Sequence, residues 1–176
     1  MLIAVKELKR HKLTIAQQFA PGMIDYRTRD FRQLGLLTTE AVAELEGGEI
    51  HLAGHLETRV ETACARCLEP VTREVSADFD LRYRPVASLA AEAEISLEEE
   101  ETQIGFYKGE GLFLTDVLAE QVHLALPMKS VCREDCRGLC PECGANLNLG
   151  SCGCRRTSVD PRLVALADWK RQQKKS

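Results

Sequence analysis

Hydrophobic and polar positions alternate most clearly in the first half of the chain. Ile50 to Glu61 switches between apolar and polar residues over most of its length, and so does Val71 to Tyr83. A period of two marks a strand with one face buried and one face wet. Leu36 to Leu45 is rich in strand-forming residues, and Glu46-Gly47-Gly48-Glu49 after it carries a hairpin signal. Leu68-Glu69-Pro70 turns the chain again. The pattern predicts an antiparallel meander of at least three strands. Leu2–Val5 and Leu13–Ala16 are short runs that suit a strand or one helical turn each, and Ile104–Tyr107 suits a last short strand.

The period then changes. Leu114, Val117, Leu118, Gln121, Val122 and Ala125 recur at helical spacing and predict an amphipathic helix over 114–126. Thr115 and Asp116 are its candidate N-caps, and Pro127 ends it. A second helix is expected from Pro161 to about Gln173, capped by Asp160. Between strands and helix, residues 86–103 hold an Ala-rich stretch and the run Glu98-Glu99-Glu100-Glu101, which reads as a solvated acidic loop. The fold class is α+β: an antiparallel meander, partly open barrel or sandwich-like, with one or two helices and a Cys-rich C-terminal module. The expected division is a β-rich domain over 1–126, the cysteine module over 127–158 and a basic helix over 159–176.

Charge sharpens that division. Residues 127–176 carry ten Lys/Arg against five Asp/Glu, a local net of +5, while residues 1–126 carry −9. A basic end fits a polyanionic partner. Aromatic residues make up 5% of the chain, too few for extended base-stacking platforms. No apolar stretch approaches the roughly 18 residues that span a bilayer, and no signal-type h-region is visible. The expected location is the cytoplasm, where thiols stay reduced.

Eight cysteines in such a compartment point to metal. Cys140-Pro-Glu-Cys143-Gly144 has the two-residue spacing with which thiolates grip one ion from a tight turn, and Gly144 suits a left-handed position beneath it. Cys152-Gly-Cys154 places two sulfurs on one side of an extended segment. Cys140, Cys143, Cys152 and Cys154 are the first candidate zinc site. Cys132 and Cys136 either replace two of those ligands or join Cys64 and Cys67, a second CxxC pair, in another site. One or two zinc ions follow. An iron–sulfur cluster and a dithiol redox switch at Cys64/Cys67 are the competing readings.

Arg133, Arg137, Arg155 and Arg156 flank the cluster. They either neutralise its thiolates or extend, with Lys129, Lys170, Arg171, Lys174 and Lys175, into a phosphate-binding face. His51 and His55 lie four apart on one strand face, with no nucleophile set nearby. The chain has no phosphate loop, nucleophile elbow or HExxH motif, so no enzymatic activity and no small-molecule substrate are expected.

One combination is distinctive as a set. It comprises Cys64-Ala-Arg-Cys67-Leu-Glu-Pro70, Leu126-Pro127, Gly138-Leu-Cys140-Pro-Glu-Cys143-Gly-Ala-Asn-Leu-Asn148, Cys152-Gly-Cys154 and Asp160-Pro-Arg-Leu163. From about residue 30 to residue 170 the chain resembles the YceD family, the large ribosomal RNA subunit accumulation proteins. The resemblance implies a non-enzymatic role in accumulation or processing of large-subunit ribosomal RNA. It implies ribosomal RNA, a pre-ribosomal particle, a ribosomal protein or a processing enzyme as partner. Members that keep the strand-region CxxC without the tail cysteines imply that the tail zinc stabilises the protein and is not the essence of its function.

Overall fold

A computed structural model of the chain describes residues 1–86, 104–154 and 164. These fall into two compact units. One comprises Met1–Ala65 and Glu69–Cys132, the other Arg66–Leu68 and Arg133–Ser176. Most of the acidic stretch 86–103 and most of the predicted C-terminal helix lie outside the described residues.

The first unit is built on β2 (Leu13–Phe19), β3 (Phe31–Gln33), β4 (Leu37–Glu46), β5 (Glu49–Ala63), β6 (Pro70–Pro85) and β7 (Ile104–Tyr107). They form one six-stranded sheet in the order β2-β4-β5-β6-β7, with β3 also paired to β5. The predicted meander is β4-β5-β6, antiparallel throughout. The turn at Gly47-Gly48 places Leu45 opposite Ile50, and the register runs unbroken from Ile50↔Tyr83 to Ala63↔Pro70. β7 departs from the meander and joins β6 in parallel. β3 and β4 share one flank of β5. Where one gives way to the other, the N–H groups of Leu34 and Gly35 both donate to the Arg59 carbonyl, at 2.8 and 3.3 Å.

A second, two-stranded sheet pairs β1 (Leu2–Ala4) with β8 (Gly111–Phe113). The single turn α1 (Val5–Leu8) follows β1, and α2 (Leu114–Ala125) follows β8. The predicted caps of α2 are corrected here. The helix starts at Leu114, with Phe113 at the cap position and no side-chain cap bond. β8 runs straight into the helix, and the Leu114 N–H donates to the Met1 carbonyl at 3.0 Å, so the backbone just before β1 takes up one of the helix's first N–H groups.

The alternation read from the sequence is the burial pattern. Ile50, Leu52, Leu56 and Val60 of β5 are buried, as are Val71, Val75, Phe79 and Tyr83 of β6. α2 lays Leu114, Val117, Leu118 and Val122 into the same cluster. Each such side chain contributes roughly 1.5–3 kcal/mol through burial. The buried amide of Gln33 is fully engaged. Gln33 Nε2 donates to the carbonyls of Phe19 and Gly35 at 2.9 and 2.7 Å, and its Oε1 accepts from the Tyr26 hydroxyl at 3.0 Å.

The opposite face of the sheet is wet and acidic. His51 meets Asp80 at 2.7 Å and Glu44 at 3.6 Å. His55 meets Asp78 at 2.7 Å and Glu57 at 3.2 Å. Among the described residues no helix is long and apolar enough to cross a membrane.

Candidate metal centre

β5 and β6 are joined by Cys64-Ala65-Arg66-Cys67-Leu68-Glu69. The Cys64 N–H donates to the Glu69 carbonyl at 2.8 Å, closing a tight knuckle. Leu68 sits at φ 62°, in the left-handed region that glycine normally occupies. The Ala65 N–H donates to the Ser130 carbonyl at 2.7 Å, and Arg73 Nη2 to the Val131 carbonyl at 2.6 Å. These bonds fix the segment that delivers Cys132, whose N–H points at Cys64 Sγ, 3.4 Å away. Arg66 Nη1 donates to the carbonyls of Glu134 and Cys136, at 2.8 and 2.9 Å. The sulfurs of Cys64, Cys67, Cys132 and Cys136 lie within 4.8 Å of one another.

The tail repeats the device. In Cys140-Pro141-Glu142-Cys143-Gly144-Ala145 the Cys140 N–H donates to the Ala145 carbonyl at 2.8 Å, and Gly144 sits at φ 72°. Leu139 pairs with Asn146, and the Leu147 N–H donates to the Gly138 carbonyl at 2.9 Å, so the knuckle caps a miniature hairpin. Gly138 has φ 74°, and a Cβ there would meet the Arg66 carbonyl at 2.9 Å. The sulfurs of Cys140, Cys143, Cys152 and Cys154 also lie within 4.8 Å of one another.

The eight cysteines are present as thiols. The structure groups them four and four, with Cys132 and Cys136 beside Cys64 and Cys67. Four thiolates at about 2.3 Å from a central ion stand about 3.8 Å apart at the corners of a tetrahedron, within the 4.8 Å that bounds the sulfur separations in both clusters. The electrostatics of the tail cluster fit as well. The N–H groups of Cys143 and Glu142 point at the Cys140 sulfur and lower its pKa to about 6. Cys154, crowded by the sulfurs of Cys143 and Cys152, is pushed up to about 12. One sulfur is ready to be a thiolate and another resists becoming one until a cation offsets its neighbours. The two clusters can hold metal ions.

The basic residues divide differently. Lys129, Arg133 and Arg137 are described and exposed. Arg133 is engaged with Asp135, at 3.3 Å, and with Asn148 Oδ1, at 3.0 Å. Arg155, Arg156, Lys170, Arg171, Lys174 and Lys175 lie outside the described residues. Two residues with a part in the site escaped the sequence reading. Arg66 and Asn148 stand in the motifs quoted above, but neither is among the candidate site residues. Asn148 gathers Cys136, Arg133, Arg137 and Asn146 around one amide. The Asn-Leu-Asn spacing was the available signal, since such side chains bond to nearby backbone and tighten turns.

The cysteine pairs and the strands between them lie within residues 52–170, which match the family model described as large ribosomal RNA subunit accumulation protein YceD. The chain belongs to the YceD family. An uncharacterized protein of Mycobacterium tuberculosis is 30% identical to this YceD chain over 151 residues, which are 85% of this chain and 69% of the relative. The large ribosomal RNA subunit accumulation protein YCED homolog 1, chloroplastic, of Zea mays is 27% identical over 135 residues, 64% of this chain and 46% of the relative. Its Arabidopsis thaliana counterpart is 34% identical over 55 residues, 31% of this chain and 17% of the relative. No solved structure gives a significant match to this YceD chain.

Proposed function

We propose that this YceD protein is a non-enzymatic, cytoplasmic ribosome-biogenesis factor, stabilised by two zinc ions and contacting large-subunit ribosomal RNA or its precursor particle through its basic C-terminal segment. The observation that carries the role is the family match over 52–170, whose description names accumulation of large ribosomal subunit RNA. Support for zinc comes from the donor set: eight thiols in two groups of four, with no oxygen or nitrogen ligand required. The dithiol redox reading of Cys64 and Cys67 loses ground, because the two residues are 0% and 4% exposed and a thiol exchange partner needs access.

The test is binding of the full chain to large-subunit ribosomal RNA across a salt series. Each phosphate neutralised by Lys or Arg adds a slope of about −0.7 to −0.9 to log K against log salt. Lys170→Glu with Arg171→Glu is expected to flatten the slope and weaken binding at least tenfold. Affinity that is absent, or flat with salt, would rule out direct RNA contact.

A second reading has its own observation. The wet face of the sheet is acidic around His51 and His55, with Glu44, Glu57, Asp78 and Asp80 beside them. Such a surface suits a basic protein, so an adaptor that docks a ribosomal protein is the alternative. A pull-down that survives nuclease treatment would select it.

A further inference from the structure

Asn148 sits in the stretch between Cys143 and Cys152 and is half-buried. Its Oδ1 accepts from the Arg137 N–H at 2.8 Å and from Arg133 Nη2 at 3.0 Å. Its Nδ2 donates to Asn146 Oδ1 at 2.9 Å and reaches Cys136 Sγ at 3.4 Å. The orientation of this amide is settled by its neighbours. A backbone N–H and a guanidinium can only donate, so the oxygen must face them and the NH₂ must face the sulfur.

That sulfur belongs to one cluster and the amide to the loop of the other. Cys140 and Cys143 anchor the loop on one side of Asn148, and Cys152 and Cys154 on the other. Inside it, the Leu147 N–H donates to the Gly138 carbonyl and the Leu149 N–H to the Asn146 carbonyl. A hydrogen bond donated to a thiolate offsets its charge and fixes its lone pairs, and removing such a partner typically costs 10–100-fold in metal affinity.

We propose that Asn148 is a positioning residue that couples the two metal sites. Closure of the Cys140/Cys143/Cys152/Cys154 site holds the loop that aims the Asn148 amide at Cys136, and so strengthens the Cys64/Cys67/Cys132/Cys136 site. By linkage, filling the second site strengthens the first by the same factor. The inference rests on the metal reading above and goes beyond it by making the sites interdependent.

Cobalt(II) titration of the full chain against a competing chelator tests it, reading stoichiometry, affinity at each site and the thiolate-to-cobalt absorption bands. Asn148→Asp is the discriminating variant. It keeps both oxygen-acceptor contacts and gains charge toward Arg133, but loses both donations of Nδ2, to Asn146 Oδ1 within the loop and to Cys136, where it places an anion. At least a tenfold loss of affinity and a shifted absorption band are expected at the site containing Cys136. A role in loop structure alone, through the lost bond to Asn146, would weaken the Cys140/Cys143/Cys152/Cys154 site and leave the site containing Cys136 unchanged in this variant. Cys140→Ser with Cys154→Ser is expected to weaken the surviving site by a similar factor in the native background and by little more in Asn148→Asp. Two ions bound by Asn148→Asp at native affinities would overturn the coupling alone. A native chain that binds no metal would overturn the metal reading and the coupling with it.

Discussion

The two CxxC turns are the same object made twice, under different constraints. In each, the N–H of the first cysteine bonds a carbonyl five residues on, Cys64 to Glu69 and Cys140 to Ala145, both at 2.8 Å. In each, the residue after the second cysteine lies in the left-handed region, Leu68 at φ 62° and Gly144 at φ 72°. The surroundings differ. Cys64 and Cys67 are buried at the end of a long ribbon whose register is set by the core. Cys143 is exposed, and the tail knuckle has a miniature hairpin in place of a sheet. Where packing over-determines a turn, it holds a leucine in a conformation that costs about 1 kcal/mol or more. Where packing is thin, the turn relies on glycine and has the most to gain from a bound ion.

The largest effect expected from that contrast is on metal dependence. Apparent binding free energies of structural zinc reach about 10–16 kcal/mol, and a segment with little core depends on them. Chelation, or Cys140→Ser with Cys154→Ser, is expected to remove the dispersed amide resonances of residues 133–154 while the sheet keeps its circular dichroism. Metal content of the native chain should be two ions, falling to one in Cys64→Ser with Cys67→Ser. Loss of the whole fold on losing the tail ion would break the contrast.

A smaller effect sharpens it. Gly144→Leu is expected to cost about 1 kcal/mol or more, because the turn has no packing to offset the strain. Leu68→Gly is expected to gain up to about 1 kcal/mol, because strain is relieved although the unfolded chain becomes freer. Thermal melts of the two zinc-loaded variants read both. Changes of the same sign would show that the turns are not equivalent.

The smallest effect has the opposite dependence on pH. Acid is expected to weaken metal binding at both knuckles, because a cysteine must lose its proton to ligate. His55 works the other way: its hydrogen bond to Asp78, helped by Glu57, raises its pKa above the usual 6.5. A raised folded value favours the charged form in the folded state. Its contribution is therefore fully present below about pH 6.5 and is lost as pH rises through the folded value. Both groups are exposed, so Asp78→Asn should cause only a slight loss of stability at pH 6 and none at pH 9, with the His55 ring resonances titrating at lower pH. An unshifted titration would remove the pair from the account.

What could be read before the structure follows from the range of each signal. The strands β5 and β6 were legible because a period of two is local, and burial then reproduces it at Leu52, Leu56, Val75 and Phe79. The tail cluster was legible because its four cysteines fall within one short span. The second cluster stayed open between two groupings, since nothing local links Cys64 to Cys132. The parallel arrival of β7 was invisible for the same reason. Thr115 and Asp116 look like caps because capping chemistry is local, whereas the Met1 carbonyl that takes their place comes from the far end of the sequence. Leu68-Glu69-Pro70 announced a turn, but a leucine gives no sign that it will be left-handed.

The cysteine grouping also sets an order of events along a growing chain. Cys140 and Cys154 are 14 positions apart, while Cys64 and Cys136 are 72 apart. Closing a loop about five times longer costs about 1.4 kcal/mol more chain entropy. Synthesis presents Cys64 and Cys67 first and leaves them waiting for partners that emerge only after the helix α2. The long ribbon of β5 and β6 meets that delay. Its pairing needs no residue beyond Pro85, so the first two thiols are already held at a knuckle when the last six arrive.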